Sequence, residues 1–277
     1  KVADGGYTII GTPTQPTKDN FGHNNNISFI VGNDGVLVFN AGGSYILARA
    51  AHSEIRKITN LPIKYLVLEN DQAHATLGSP YWKALGAQII AHENTALRLH
   101  YPESMLSRAK KRLKSNFFKS GVVVPDKVFK DSYTIDLGSL EIELIHYGPA
   151  HSHNDIMLWH SKPRILITGD YGFNQRMLPI HLDTDIDSWI DLWTRIEALD
   201  PKIVIPGHGD VTDMETIKIH TYDYILYLRE EIEKILDEDG DLADALEIDT
   251  SRFSGFILYN ELSKQNIEKI FIKKEFD

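Results

Sequence analysis

Three short segments set glycine beside imidazoles or carboxylates: residues 148–155 (GPAHSHND), 168–170 (TGD) and 206–210 (PGHGD). Each follows an aliphatic, β-branched run that reads as a strand, so each is expected as a strand-end loop, where a rigid sheet presents functional groups. Glycine permits the tight turn that lets the neighbouring acid or imidazole leave the sheet edge instead of entering the core. One histidine after a strand is usually only a structural hydrogen-bonding group. Three such segments in succession point to a shared centre. Imidazoles plus one carboxylate, drawn from His151, Asp170 and His208, make a ligand set for zinc, iron or manganese that needs no thiol. The chain has no cysteine, which excludes thiolate-bound zinc, disulfide frameworks and cysteine nucleophiles together.

The elements that must position these groups alternate along the chain. Residues 35–39, 64–68, 87–91, 140–145, 155–159, 164–168 and 202–205 read as strands. Trp189, Leu192, Trp193 and Ile196 fall on one face of a helix that Asp185 or Asp187 can cap. Ile225, Leu228, Ile232 and Ile235 mark a second helix, and the acidic stretch 237–249 reads as solvated helix and turn. Helices covering a sheet make an α/β class. No linker or repeat divides the chain before about Thr212, so residues 1–211 are expected as one unit and 212–277 as a helical extension packed on it.

Composition narrows the function. The chain has 277 residues, 42% of them apolar, enough for a large core. Its 29 basic and 39 acidic side chains give a net charge of −10, which argues against wholesale nucleic-acid binding, since that needs clustered cations. No stretch approaches the roughly 20 apolar residues of a membrane span, and no signal-like segment opens the sequence at Lys1. One insertion differs in charge. Arg108, Lys110, Lys111, Arg112, Lys114 and Lys119 alternate with Leu106, Leu113, Phe117 and Phe118. That pattern reads as a solvated helix with an apolar underside, or as a docking surface for an anionic substrate or protein partner through residues 108–119.

The ordered set GPAHSHND, ILITGD and VIPGHGDVTD closely resembles the metallo-β-lactamase-fold hydrolases. GGYTIIG, NNISFIVGNDGVLVFNAG, PIKYLVLEN, GAQIIAHENT and NIEKIFIKKE extend the likeness over nearly the whole chain and are similar to the branch linked with sulfur oxidation and quinoprotein-associated metabolism. The resemblance implies a four-layer αββα sandwich with a metal in a cleft at one edge of two facing sheets. It also implies a small-molecule substrate and, because that branch is commonly exported, a periplasmic or secreted location.

The chain departs from that family at its hallmark, His-x-His-x-Asp-His. Ungapped alignment from Pro62 to Gly78 puts Asn70 and Gln72 at the first two histidines, His74 at the aspartate and Ala75 at the last histidine, while Thr76, Leu77 and Gly78 match. Asn40-Ala41-Gly42 stands where the family has Asp-Thr-Gly. A one-residue slip would instead offer Glu69, Asp71 and His74 to a metal. In the ungapped register the family's ligand scheme leaves one divalent metal on His74, Asp170 and His208, with His151 as a further ligand. Zinc is the first expectation, iron or manganese the next, and no metal the remaining alternative. Asp170 and His74 are then the catalytic candidates, and a metal-bound water would attack an ester, thioester, lactone or lactam-type bond. Amide carbonyls are poor zinc ligands, so Asn70 and Gln72 join His153, Arg176 and His181 as candidate substrate-binding groups. Tyr171 and Phe173 are expected at the cleft mouth. The competing reading is an inactive or metal-free relative that keeps the cleft for a ligand or protein. His23, His92, His100, His146, His160 and His220 are expected to be structural or superficial.

Overall fold

Apolar residues alternate strictly between two destinations along the central strands, which gives each sheet two buried faces. Leu37, Phe39, Val67 and Ile90 face one core while Val36, Val38, Leu66, Leu68, Ile89 and Ala91 face another. The computed structural model describes residues 1–276. In chain order its elements are β1 (Gly6–Ile9), β2 (Ile27–Val31), β3 (Val36–Phe39), α1 (Tyr45–Arg56), β4 (Ile63–Leu68), α2 (Ala73–Thr76), α3 (Ser79–Ala84), β5 (Gln88–His92), α4 (Glu93–Leu99) and α5 (Glu103–Leu113). Then come β6 (Lys127–Phe129), β7 (Ser132–Asp136), β8 (Glu141–Ile145), β9 (Met157–His160), β10 (Ile165–Phe173), α6 (Ile186–Glu197), β11 (Ile203–His208), α7 (Met214–His220), α8 (Tyr222–Asp237), α9 (Leu242–Ala245) and α10 (Tyr259–Phe276).

The strands form two sheets, ordered β1-β2-β3-β4-β5-β6 and β11-β10-β9-β8-β7. Three apolar clusters account for the layering. One lies between the sheets, where Leu37, Phe39 and Val67 meet Leu144, Leu158, Ile165 and Ile205. A second packs α1 and α3, through Ala48, Ile55 and Trp82, on the outer face of the first sheet. The third packs α6, α8 and α10, through Trp189, Leu228 and Ile270, on Met157, Leu166 and Val204 of the second. The result is the four-layer αββα sandwich, and the helices after residue 212 share their core with α6 and β10.

Two expectations need correction. Asp170 is not in a loop after a strand: β10 runs on to Phe173, and Gly169, at φ +53°, makes an irregularity in its pairing with β11 that lets the strand continue. The basic helix is shorter than the charge run. It stops at Leu113, Lys114 takes a positive φ, residues 114–117 form a 3-10 turn, and Phe118 is exposed instead of lying on the apolar underside. The strands β1, β2, β6 and β7 were not visible as periodic runs. They have three to five residues each, and three of them, β1, β6 and β7, are edge strands, where the hydrophobic signal is weak.

Candidate metal centre

The site forms where the ends of β3, β4, β10 and β11 converge. After β3, Asn40 turns the chain at φ +76° and accepts from the Glu69 amide. The loop it starts is stitched to α2 and α3 by Ala41 N–H to Ala75 O and Gly78 N–H to Gly42 O. At the other side Asn26, just before β2, donates to Pro206 O and Gly209 O, both at 2.8 Å. These bonds hold the Pro-Gly-His-Gly corner against the first sheet.

Within this frame His74, Asp170 and His208 each offer a ligand atom within 4.8 Å of the others, and all three are buried. His74 Nε2 lies 3.5 Å from Asp170 Oδ2, His151 Nδ1 3.4 Å from the same oxygen, and His208 Nε2 3.3 Å from Asp170 Oδ1. Tetrahedral donors on bonds of about 2.0–2.1 Å stand about 3.3–3.4 Å apart, so these separations suit one divalent ion. Asp170 Oδ1 is buried without a hydrogen bond among the described residues, as an atom reserved for a ligand would be. A main-chain carbonyl, Asn24 O, sits against His208 Nδ1. The Arg176 guanidinium reaches the same nitrogen, so Nδ1 is engaged on the far side of the ring and Nε2 faces Asp170. The ring is held flat against Phe173, with centroids 5.0 Å apart.

A second triplet, His151, Asp155 and Asp170, has the same compactness but is already committed. Asp155 accepts from Asn70 Nδ2 and Ser152 Oγ on one oxygen and from the Ser152 amide on the other. Burial, reinforced by Asp170, raises its pKa well above the usual carboxylate range. Asp155 is therefore a scaffold for Asn70, which also donates to Asp170 Oδ2 at 3.1 Å.

Burial works against the charge on every group in the centre, and the neighbours decide the outcome. Burial would raise Asp170, yet His74, His151 and His208 around it hold the carboxyl far below its ordinary value. Burial lowers His151 to about 3 and, with help from Arg176, His208 to about 4. All three are thus in the protonation state a metal requires. His74 differs. Burial opposes its charged form, but Asp170 and Glu69 together outweigh that and raise its pKa. Its Nε2 lies 2.8 Å from Glu69 Oε1, so a proton and a metal compete for that atom. Glu69 is wholly buried, with its own pKa raised by burial and by Asp170.

A cavity of about 320 Å³ opens above the donors. Gln72, His74, His151, Asp170, Arg176, His181 and His208 line it. Gln72 Nε2 is 3.1 Å from His151 Nδ1 and Arg176 Nη1 is 2.9 Å from His208 Nδ1. Asn70 and His153 are not in its walls. Asn70 lies beneath the centre, its NH2 spent on two carboxylates and its oxygen on the Gln72 amide. His153 is exposed to solvent, turned outward by the bend in which Ser152 bonds inward to Asp155. Phe173 reaches the cavity, whereas Tyr171 is fully buried with its hydroxyl 2.7 Å from Gly148 O. The slipped register is overturned. Glu69 turns inward, but Asp71 turns out to Arg98 at 2.7 Å and to Asn154. Asp155 and Lys269 carry roles or line the site without having been singled out, while Glu69 entered only through the slipped register and Arg112 only through the basic run. Only Glu69 stood beside the hallmark positions, and nothing in its neighbours showed which way the chain turns after Leu68.

Comparison with known proteins agrees with this geometry. Residues 74–208 match the model of the metallo-beta-lactamase superfamily. A metallo-beta-lactamase type 2 from Bacteroides fragilis is 29% identical over 107 residues, 37% of this chain and 43% of that protein, so the match spans less than half of that relative. Among solved structures, a metallo-beta-lactamase from Pontibacter korlensis aligns with a TM-score of 0.62 at 17% identity over 73% of this chain and 87% of that one. The VMB-1 structure aligns with a TM-score of 0.65 at 19% identity over 82% and 95%. At such identities the structures speak for the fold, and the matched segment contains all four of His74, His151, Asp170 and His208. Residues 74–208 thus resemble the metallo-beta-lactamase superfamily, and the chain shares the fold of the metallo-beta-lactamases.

Proposed function

We propose that the chain is a metal-dependent hydrolase of a small molecule, holding a single divalent ion, zinc before iron or manganese, on His74, Asp170 and His208 with His151 alongside. The convergence of these buried donors on the floor of an open cavity carries the reading. A metal there supplies a bound water of lowered pKa and polarises an acyl oxygen, chemistry suited to an ester, thioester, lactone or lactam. The chain's own residues fix the ligands. Asp170 is kept ionised by its imidazole neighbours, His74 first, and Asn70 orients its Oδ2. Phe173, His181 and Leu77 complete the cavity wall around the floor. A periplasmic or secreted location belongs to the same reading, on the strength of the resemblance to the sulfur-oxidation branch.

One observation favours a second reading, a metal-free cleft that binds without turnover. The His74 imidazole between Glu69 and Asp170, with Arg176 beside His208, already sets two cations against two carboxylates. Elemental analysis of the purified chain after separate incubation with zinc, iron and manganese decides between them. About one metal per chain supports the hydrolase. None, with the circular dichroism of a folded protein, overturns it in favour of the metal-free cleft.

A further inference from the structure

Two helices that lie outside the sandwich's sheets close the cavity. Arg112 enters from α5, and Leu262, Gln265 and Lys269 enter from α10. The spacing of the last three, i, i+3 and i+7, presents one stripe of α10 to the cavity. The helix is fixed there by the buried Asn266, which donates to Leu178 O at 2.8 Å and accepts from the Ile180 amide at 2.8 Å. Lys269 Nζ donates to Ile180 O at 2.6 Å, which sets the ammonium at the wall and leaves its other N–H bonds free to turn inward.

The charges lining the cavity are one-sided. Arg112, Arg176 and Lys269 stand against Asp170 alone, and Asp170 is taken up by the metal centre. Arg176 is buried and lies against His208. Arg112 is exposed and makes no ion pair among the described residues. Two cationic arms from separate helices therefore face one space whose lining holds no acid but Asp170, in a chain whose net charge is −10; Arg112 also borders a neighbouring cavity lined by Asp71 and Asp183, both of which pair with Arg98. Long-range attraction of anions by the whole molecule cannot explain such a placement, whereas recognition of a local acid group does.

We propose that this cleft takes a substrate bearing an acid group, a carboxylate or a phosphate, in addition to the bond to be broken, and that Arg112 and Lys269 hold that group. The reaction rests on the hydrolase reading above; the anion subsite does not. Calorimetric titration of the full chain, both metal-stripped and zinc-loaded, tests it with three probes: glutarate, inorganic phosphate and the uncharged glutaramide. Glutarate or phosphate binds at least about tenfold more tightly than glutaramide, and whichever of the two binds names the acid group. Arg112→Gln and Lys269→Gln each weaken that binding by about tenfold, the scale of one charge-assisted hydrogen bond. Lys110→Gln removes the same charge from the exposed side of α5 and changes it less than about twofold. Equal binding of glutaramide, no anion binding, or an equal loss in Lys110→Gln overturns the proposal, as does binding in the zinc-loaded protein that ignores both cleft variants. A chain that takes up no zinc yet binds glutarate through Arg112 refutes the hydrolase reading alone. A chain with one zinc and variant-insensitive anions refutes the subsite alone.

Discussion

Glu69 Oε1 and His74 Nε2 lie 2.8 Å apart, both buried, with Asp170 on the other side of the same imidazole nitrogen. Without a metal, His74 is the local cation for two buried carboxylates. Removing one partner of a buried pair strands the other, at a cost of about 3–5 kcal/mol. His74→Ala is therefore expected to destabilise the metal-stripped chain by that amount in urea unfolding. Adding Glu69→Gln to it should recover part of the loss, because one stranded charge disappears. Strictly additive costs would show that the two groups do not act as a pair.

Two compact triplets share Asp170, and their hydrogen bonds tell them apart. Every oxygen of Asp155 already accepts a bond, whereas Asp170 Oδ1 accepts none. Asp170→Asn should abolish metal uptake measured by elemental analysis. Asp155→Asn should retain about one metal per chain and instead lower the thermal midpoint, since an amide cannot accept from the Ser152 amide and Asn70 together as the carboxyl does. Loss of metal in Asp155→Asn with Asp170→Asn unaffected would move the site to the second triplet.

These contrasts also show what a reader of the sequence could reach. His151, Asp170 and His208 stand beside glycines in short local patterns, and the structure brings their side chains together. The layering was legible because apolar residues alternate along the central strands, as in 36–39 and 66–68. The direction of Glu69 was not. Period-2 alternation would put Glu69 and Asp71 on one face, but the chain leaves β4 at Leu68 and separates them. Nor could Lys269 be placed, because its partner Ile180 O is 89 positions away and nothing local encodes that packing. The same holds for Gly169: its positive φ keeps β10 running where glycine alone suggested a loop.

The His92 and His146 rings, neither of them among the candidate donors, lie tilted against each other with centroids 4.1 Å apart. Burial first, and then the neighbouring His146, lower His92 to about 4. The sign follows from linkage. Below the unfolded value near 6.5 the unfolded chain takes up a proton that the folded chain refuses until about pH 4, so this contribution to stability is present above pH 6.5 and is lost as the pH falls towards 4. Nδ1 of His92 caps α4 by accepting from the Asn94 amide at 3.2 Å, and asparagine caps equally well. His92→Asn is expected to keep the helix and flatten the decline of the unfolding free energy between pH 6.5 and pH 4. An unchanged slope would assign the acid sensitivity elsewhere.

Asn266 ties the last helix to the site. It is fully buried, and its amide bonds Leu178 O, the Ile180 amide and the Tyr224 hydroxyl, the last at 2.9 Å. Asn266→Ala leaves a buried amide and carbonyl without partners, which costs about 1–3 kcal/mol for each orphaned group. Because Lys269 sits on the same helix and bonds Ile180 O, loosening α10 should reach the cavity wall while sparing the donors on β10 and β11. The expected outcome is a lower thermal midpoint and faster amide exchange confined to α10 and residues 178–180, with metal content unchanged. Exchange that rises equally across β10 would mean that α10 supports the metal centre itself and is more than a wall of its cleft.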